Sequence, residues 1–298
     1  MLKKLLLFCL LFALFLGCAK LDPKIDAPSY LEIDGYSTML ANNDSSNSGQ
    51  GTGLQKFTDV LVMSGTQSYG YYPIPGKIPL PTTGNTFLII RPVIKVNGLN
   101  ALRVDYPVMK GSDTTLPLTK GQITKFTPVF KYFNNVNFRF LEDFEGGTYR
   151  TKKSNPADTF SYYIDTTQKF NGGKKCLAIQ LDATHTTFTV QSATAFPLPT
   201  NGTSVYVEIN YKCNVPFEVG VAGTAFSAGT LDDMRSAGGA LPTTTWKKLY
   251  FSLSDILRAA PYYPDYYLYF YATYFNDPKD PHPLNQIYID NIKIISLQ

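Results

Sequence analysis

The chain has 298 residues, with 27 Lys and Arg against 23 Asp and Glu, and only 17% of it is charged. The net charge of +4 is spread without a dense basic run, which excludes a surface built to track a phosphate backbone. Twenty-one Tyr and 20 Phe, punctuated by 20 Pro and 22 Gly, exclude a mainly helical protein and favour pleated sheets joined by turns.

The first predicted element, residues 1–17, is a signal peptide. Lys3 and Lys4 give it a positive start, and the apolar run from Leu5 to Leu16 is too short for a comfortable bilayer span. Phe15-Leu16-Gly17-Cys18 resembles a lipobox, with Phe15 standing where Leu is usual. That resemblance implies cleavage before Cys18 and lipidation of its thiol. Cys9 departs with the leader, and Lys3 and Lys4 take half of the excess positive charge with them. Residues 18–27 read as a lipidated polar tether.

Residues 28–135 hold strand-like runs at 30–36, 57–63, 68–72, 86–95, 102–106 and 122–132, separated by turn residues. Residues 42–53 are polar and low in complexity, with no side chain to bury. Six or seven short strands predict a small β-sandwich of immunoglobulin or transthyretin type, ending at Asn134-Asn135.

Residues 136–298 hold a second series, at 138–144, 160–164, 176–181, 188–191, 205–212, 217–222, 247–253, 267–275 and 287–295. Nine strands exceed an immunoglobulin sandwich and predict a jelly roll, so the whole mature chain is read as all-β. The one helical candidate, 252–258, is good for one or two turns. Strand parity points Cys176 away from the core and Cys213 into it, so the two are expected as free buried thiols.

Leu141-Glu142-Asp143-Phe144-Glu145 and the run from Ile287 to Ile294 look like the bracketing strands of carbohydrate-binding-module jelly rolls. The block from Trp246 to Leu253 is similar to their penultimate strand. The whole chain resembles a Bacteroidetes outer-membrane lipoprotein type of mostly unassigned function, a small sandwich followed by such a jelly roll. The resemblance implies a lipid anchor in the outer membrane, with the periplasmic or surface face left open. It also implies one structural calcium ion on Asp290 with Glu142, Asp143 or Glu145. The residues themselves offer another reading, in which Asp290-Asn291 marks a bulge, because apolar parity switches there.

Signs of catalysis are sparse. The two histidines, His185 and His282, lie in loops, no Gly-x-Ser-x-Gly occurs, and no pair of carboxylates can be matched for glycoside hydrolysis. The aromatic stripe at 266–274 carries more information. Leu268, Phe270 and Ala272 share one face, while Tyr267, Tyr269 and Tyr271 share the other at about 6.6 Å spacing. The same parity turns Tyr206, Glu208, Asn210, Trp246 and Tyr250 outward. Aromatic planes among amides and carboxylates suit the C–H faces and hydroxyls of sugars. The expectation is therefore a non-catalytic envelope protein whose jelly roll binds a glycan. The alternative is a structural or protein-interaction lipoprotein; no nucleic-acid partner is expected.

Overall fold

Side-chain alternation is plain at the first strand, β1 (Ser29–Ile33), where Ser29, Leu31 and Ile33 are buried and Tyr30 and Glu32 are half-buried. The structure is a computed structural model and describes residues 27–40, 49–99, 101–223, 233–259, 263–279 and 281–298. The predicted leader, with Cys18, and the predicted tether as far as Asp26 lie outside the described residues, as does part of the polar loop at 42–53.

After β1 come β2 (Ser37–Met39), β3 (Asp59–Ser64), β4 (Gln67–Pro73), β5 (Gly76–Leu80), β6 (Gly84–Lys95), β7 (Arg103–Asp105), β8 (Met109–Lys110), β9 (Ser112–Leu118), β10 (Ile123–Lys125) and β11 (Val129–Tyr132). They form a sheet ordered β4-β3-β6-β7, with β9 on β6, and two small sheets, β10-β1-β5 and β2-β11-β8. Leu31, Ile33, Val60, Val62, Ile78, Leu88 and Ile90 fill the space between.

The second series is β12 (Val136–Glu142), β13 (Thr151–Lys153), β14 (Ser161–Asp165), β15 (Cys176–Leu181), β16 (Thr187–Ser192), β17 (Val205–Cys213), β18 (Phe217–Gly223), β19 (Met234–Ala240), β20 (Thr243–Ser252), α1 (Ser254–Ala259), β21 (Tyr266–Thr273) and β22 (Asn285–Leu297). Six of these strands form one sheet, ordered β14-β15-β22-β17-β20 with β12 also on β22. Five form the facing sheet, β13-β16-β21-β18-β19. The protein is thus nearly all β, a sandwich followed by a second, jelly-roll-like sandwich. The short helix is where the sequence predicts it. Its first residue ties it to the sheet, because Val205 N–H donates to Ser254 Oγ at 3.0 Å.

Two local expectations hold in detail. In the β17–β22 register, Glu208 faces Lys293 and Asn210 faces Asp290, so β22 spends an extra residue there and Asn291 takes φ 50°. That is a β-bulge, and it lets Ile287, Ile289, Ile292 and Ile294 all face the core. Cys176 and Cys213 are free and buried, on opposite faces as parity requires; burial pushes both thiols up to about 12.

Candidate functional site

β17 departs from simple alternation. Val205, Val207, Ile209, Tyr211 and Cys213 belong to the second core, yet Tyr206, Glu208 and Asn210 on the other face are buried too. A strand buried on both faces needs a cover on each, and the first sandwich supplies the second cover. Tyr106 meets the Tyr206 ring edge-on at 5.3 Å, Phe57 stacks on Tyr250 at 6.0 Å, and Tyr132 meets Phe138 edge-on at 5.1 Å. Tyr206, Tyr250 and Ile295 are accordingly part of the first sandwich's core.

Polar groups are joined across the same junction. Glu208, fully buried, accepts hydrogen bonds from Tyr106 Oη at 2.7 Å, Tyr132 Oη at 2.8 Å and Gln55 Nε2 at 3.1 Å, and pairs with Lys248 Nζ at 2.7 Å. Lys293 Nζ, also buried, donates to Thr52 O. Gly51 makes room for this: a Cβ there would stand 3.1 Å from Lys293 Cε, and φ is +62°. Burial alone would raise the Glu208 carboxyl, but the Lys248 and Lys293 charges outweigh it and hold it down at about 2. Burial lowers Lys293 to about 7 despite the attraction of Glu208. Tyr250 Oη donates to Gln55 Oε1 at 2.8 Å, and Asn97 N–H donates to Tyr250 O at 2.8 Å.

These contacts correct part of the expected glycan face. Tyr206, Glu208 and Tyr250 do point out of the jelly roll, but the first sandwich sits on them and they form an internal junction. Asn210 is buried beside them, 2% exposed. The tyrosine stripe lies on the other sheet. Tyr269 is 2% exposed, its ring laid across Gly220, where an added Cβ would stand 2.6 Å from the ring. It also bonds to Ser236 on the edge strand β19. Tyr267 and Tyr271 remain half-buried on either side, so the stripe lacks its middle ring as a contact surface.

Trp246 is in a different setting. Just beyond the buried junction a groove of about 1040 Å³ opens between the sandwiches. One wall carries Leu54, Gln55, Lys56, Lys95, Asn97 and Leu99; the other carries Trp246, Lys247, Asn210 and Leu241, with Phe170 and Asn171 from the turn before β15. Phe170 meets the Trp246 ring at 5.7 Å and 66°, and both are half-buried. Asn210 Oδ1, buried on the groove wall, has no hydrogen-bond partner among the described residues. Phe170, Asn171, Lys56, Lys95 and Asn97 carry no signal in the sequence, because their convergence depends on how two sandwiches dock.

The predicted metal residues gather more loosely. Glu142 gives both oxygens to backbone donors, Phe144 N–H at 2.7 Å and Arg150 N–H, while Asp143 Oδ1 accepts Glu145 N–H at 3.1 Å. Among the described residues, no three carboxylate, histidine or cysteine side chains form a group able to hold a metal. Asp290 and Glu145 do meet at Gly173. The position a Cβ would fill there lies 2.9 Å from Glu145 Oε1, 3.1 Å from Phe170 O and 3.7 Å from Asp290 Oδ2. Burial, then the charges of Glu145, Asp143 and Glu142, raise the Asp290 carboxyl to about 8. His185 faces Asp182 Oδ1 at 2.9 Å within a tight turn, and its other close side-chain partner is the Thr184 hydroxyl of the same turn.

No family model and no curated protein matches the chain. Solved structures similar to it include a mutant of a carbohydrate-binding module of family 29, at 9% identity and TM-score 0.31, covering 54% of this chain and 92% of that one. The adhesin domain of Lys-gingipain from Porphyromonas gingivalis W83 is similar at 14% identity and TM-score 0.37, covering 52% and 96%. A carbohydrate-binding module of BiXyn10A is similar at 16% identity and TM-score 0.34, covering 53% and 96%. The architecture given above rests on strand pairing and not on these likenesses.

Proposed function

We propose that this is a lipid-anchored envelope protein that binds a glycan without catalysis, in the groove between its two sandwiches. The observation that carries this reading is the half-buried Trp246 with Phe170 against it, set in a groove whose walls also carry the amides of Asn97, Asn171 and Asn210. An aromatic plane takes the apolar face of a pyranose, and amides take its hydroxyls. The volume is at the upper end of ligand clefts, roughly 300–1,000 Å³. Affinity electrophoresis of the full chain through immobilised polysaccharides tests the reading. At least one polysaccharide should retard it, Trp246→Ala should remove the retardation at unchanged Tm, and a Tyr267→Ala, Tyr271→Ala double variant should keep it. Loss of binding in the double variant alone would move the site to the stripe. No retardation on any polysaccharide would favour the second reading, a protein partner, for which the exposed Leu54, Leu99 and Leu241 at the groove rim speak.

The anchor in this proposal is the lipid on Cys18, and the membrane is the outer one. Cys18→Ser should release the protein from the membrane fraction; continued sedimentation with membranes would refute the anchor. A structural calcium ion is proposed on Asp290 with Glu145, carboxylate oxygens of the kind calcium accepts. It would supply positive charge to a buried carboxylate surrounded by acids. Calcium should raise Tm in the wild type and leave Asp290→Asn unmoved.

A further inference from the structure

The charge of the groove is one-sided. Lys56, Lys95 and Lys247 line it, and no Asp or Glu stands among its described lining residues. Lys248 lines it too, but its ammonium is buried against Glu208, so this pair cancels beneath the floor. Lys56 and Lys247 are exposed and Lys95 is half-buried. Apart from Glu208 against Lys248, the carboxylates at salt-bridge distance from a lysine among the described residues lie elsewhere, such as Glu32 and Asp34 against Lys125. A concave wall bearing charge of one sign concentrates ligands of the other.

We infer that the groove takes an anionic saccharide, its carboxylate or sulfate groups on Lys56, Lys95 and Lys247 and one sugar face on Trp246. This rests on the glycan reading above and adds the ligand's charge. The unpartnered Asn210 Oδ1 supplies an acceptor for a sugar hydroxyl on the same wall. A neutral chain would leave the three ammonium groups to water. The polar work would then fall on the amides alone.

Binding of the full chain to polygalacturonate, dextran sulfate and neutral dextran and galactomannan is the test, by affinity electrophoresis and calorimetry at two salt concentrations. Polygalacturonate isolates carboxylate recognition and dextran sulfate isolates sulfate recognition. At least one should bind at least tenfold tighter than either neutral polymer, weaken at higher salt, and lose at least tenfold in the variant Lys56→Ala, Lys95→Ala, Lys247→Ala. A control variant, Lys77→Ala with Lys110→Ala, removes charge away from the groove and should bind as wild type. Equal loss in the control would overturn the proposal, since net charge alone would explain binding. Tight binding of a neutral polymer, unmoved by the triple substitution, would overturn the anionic ligand while leaving the glycan reading intact. Failure of all four polymers would overturn both.

Discussion

Glu208 shows how a single side chain sets the character of the junction. An isolated buried carboxylate is costly, and here two phenols, one amide and one ammonium satisfy it from both sandwiches. Replacing it by Gln leaves Lys248 and Lys293 uncompensated in a buried interface. Glu208→Gln should therefore cost about 3–5 kcal/mol, read by denaturant unfolding at pH 7. The pH dependence has a definite sign. The folded carboxyl titrates near 2, against roughly 4.3 in an unfolded chain, so its contribution is present above about 4.3 and is lost as pH falls toward 2. Stability profiles of wild type and Glu208→Gln should converge over that interval. Parallel profiles would show that another group carries the acid sensitivity.

Strands and turns decide which of these residues are seen. Strand parity was readable for β17, β20, β21 and β22, and even the bulge at Asp290-Asn291 was legible, because apolar residues change phase there. What covers an outward face was not legible. The same alternation describes Tyr206 beneath a second sandwich and Tyr271 half open on a sheet surface. Some strands escaped the sequence pattern altogether, for separate reasons. β5 and β9 contain Pro79 and Pro117 and lie at sheet edges, where a missing N–H is tolerated. β13 has three residues, and β19, Met-Arg-Ser-Ala-Gly-Gly-Ala, has small side chains because rings lie across it and its neighbour. Gly220 on β18 makes the point testable. A Cβ there would run into Arg235 O as well as the Tyr269 ring, so Gly220→Val should cost about 1–3 kcal/mol by thermal or chemical unfolding. A neutral substitution would mean that both the β19 backbone at Arg235 and the Tyr269 ring can give way.

At the scale of the whole molecule, the two sandwiches share a core. Tyr206, Tyr250 and Ile295 belong to the second chain segment by hydrogen bonding and to the first by packing. Ser252 N–H donates to Asn97 Oδ1 at 3.1 Å, and Val96 bridges to Tyr250, so the backbone too is tied. Calorimetry should therefore record one unfolding transition for the full chain, and two separated peaks would contradict the shared core. The groove follows from the same docking, since neither half owns both of its walls. Cutting at Asn135 would not yield a transplantable module. It would strip Tyr206, Glu208 and Tyr250 bare, leave half a trough, and create an adhesive raw surface, so fusions and truncations that treat the halves as interchangeable cassettes should yield aggregates instead of folded units.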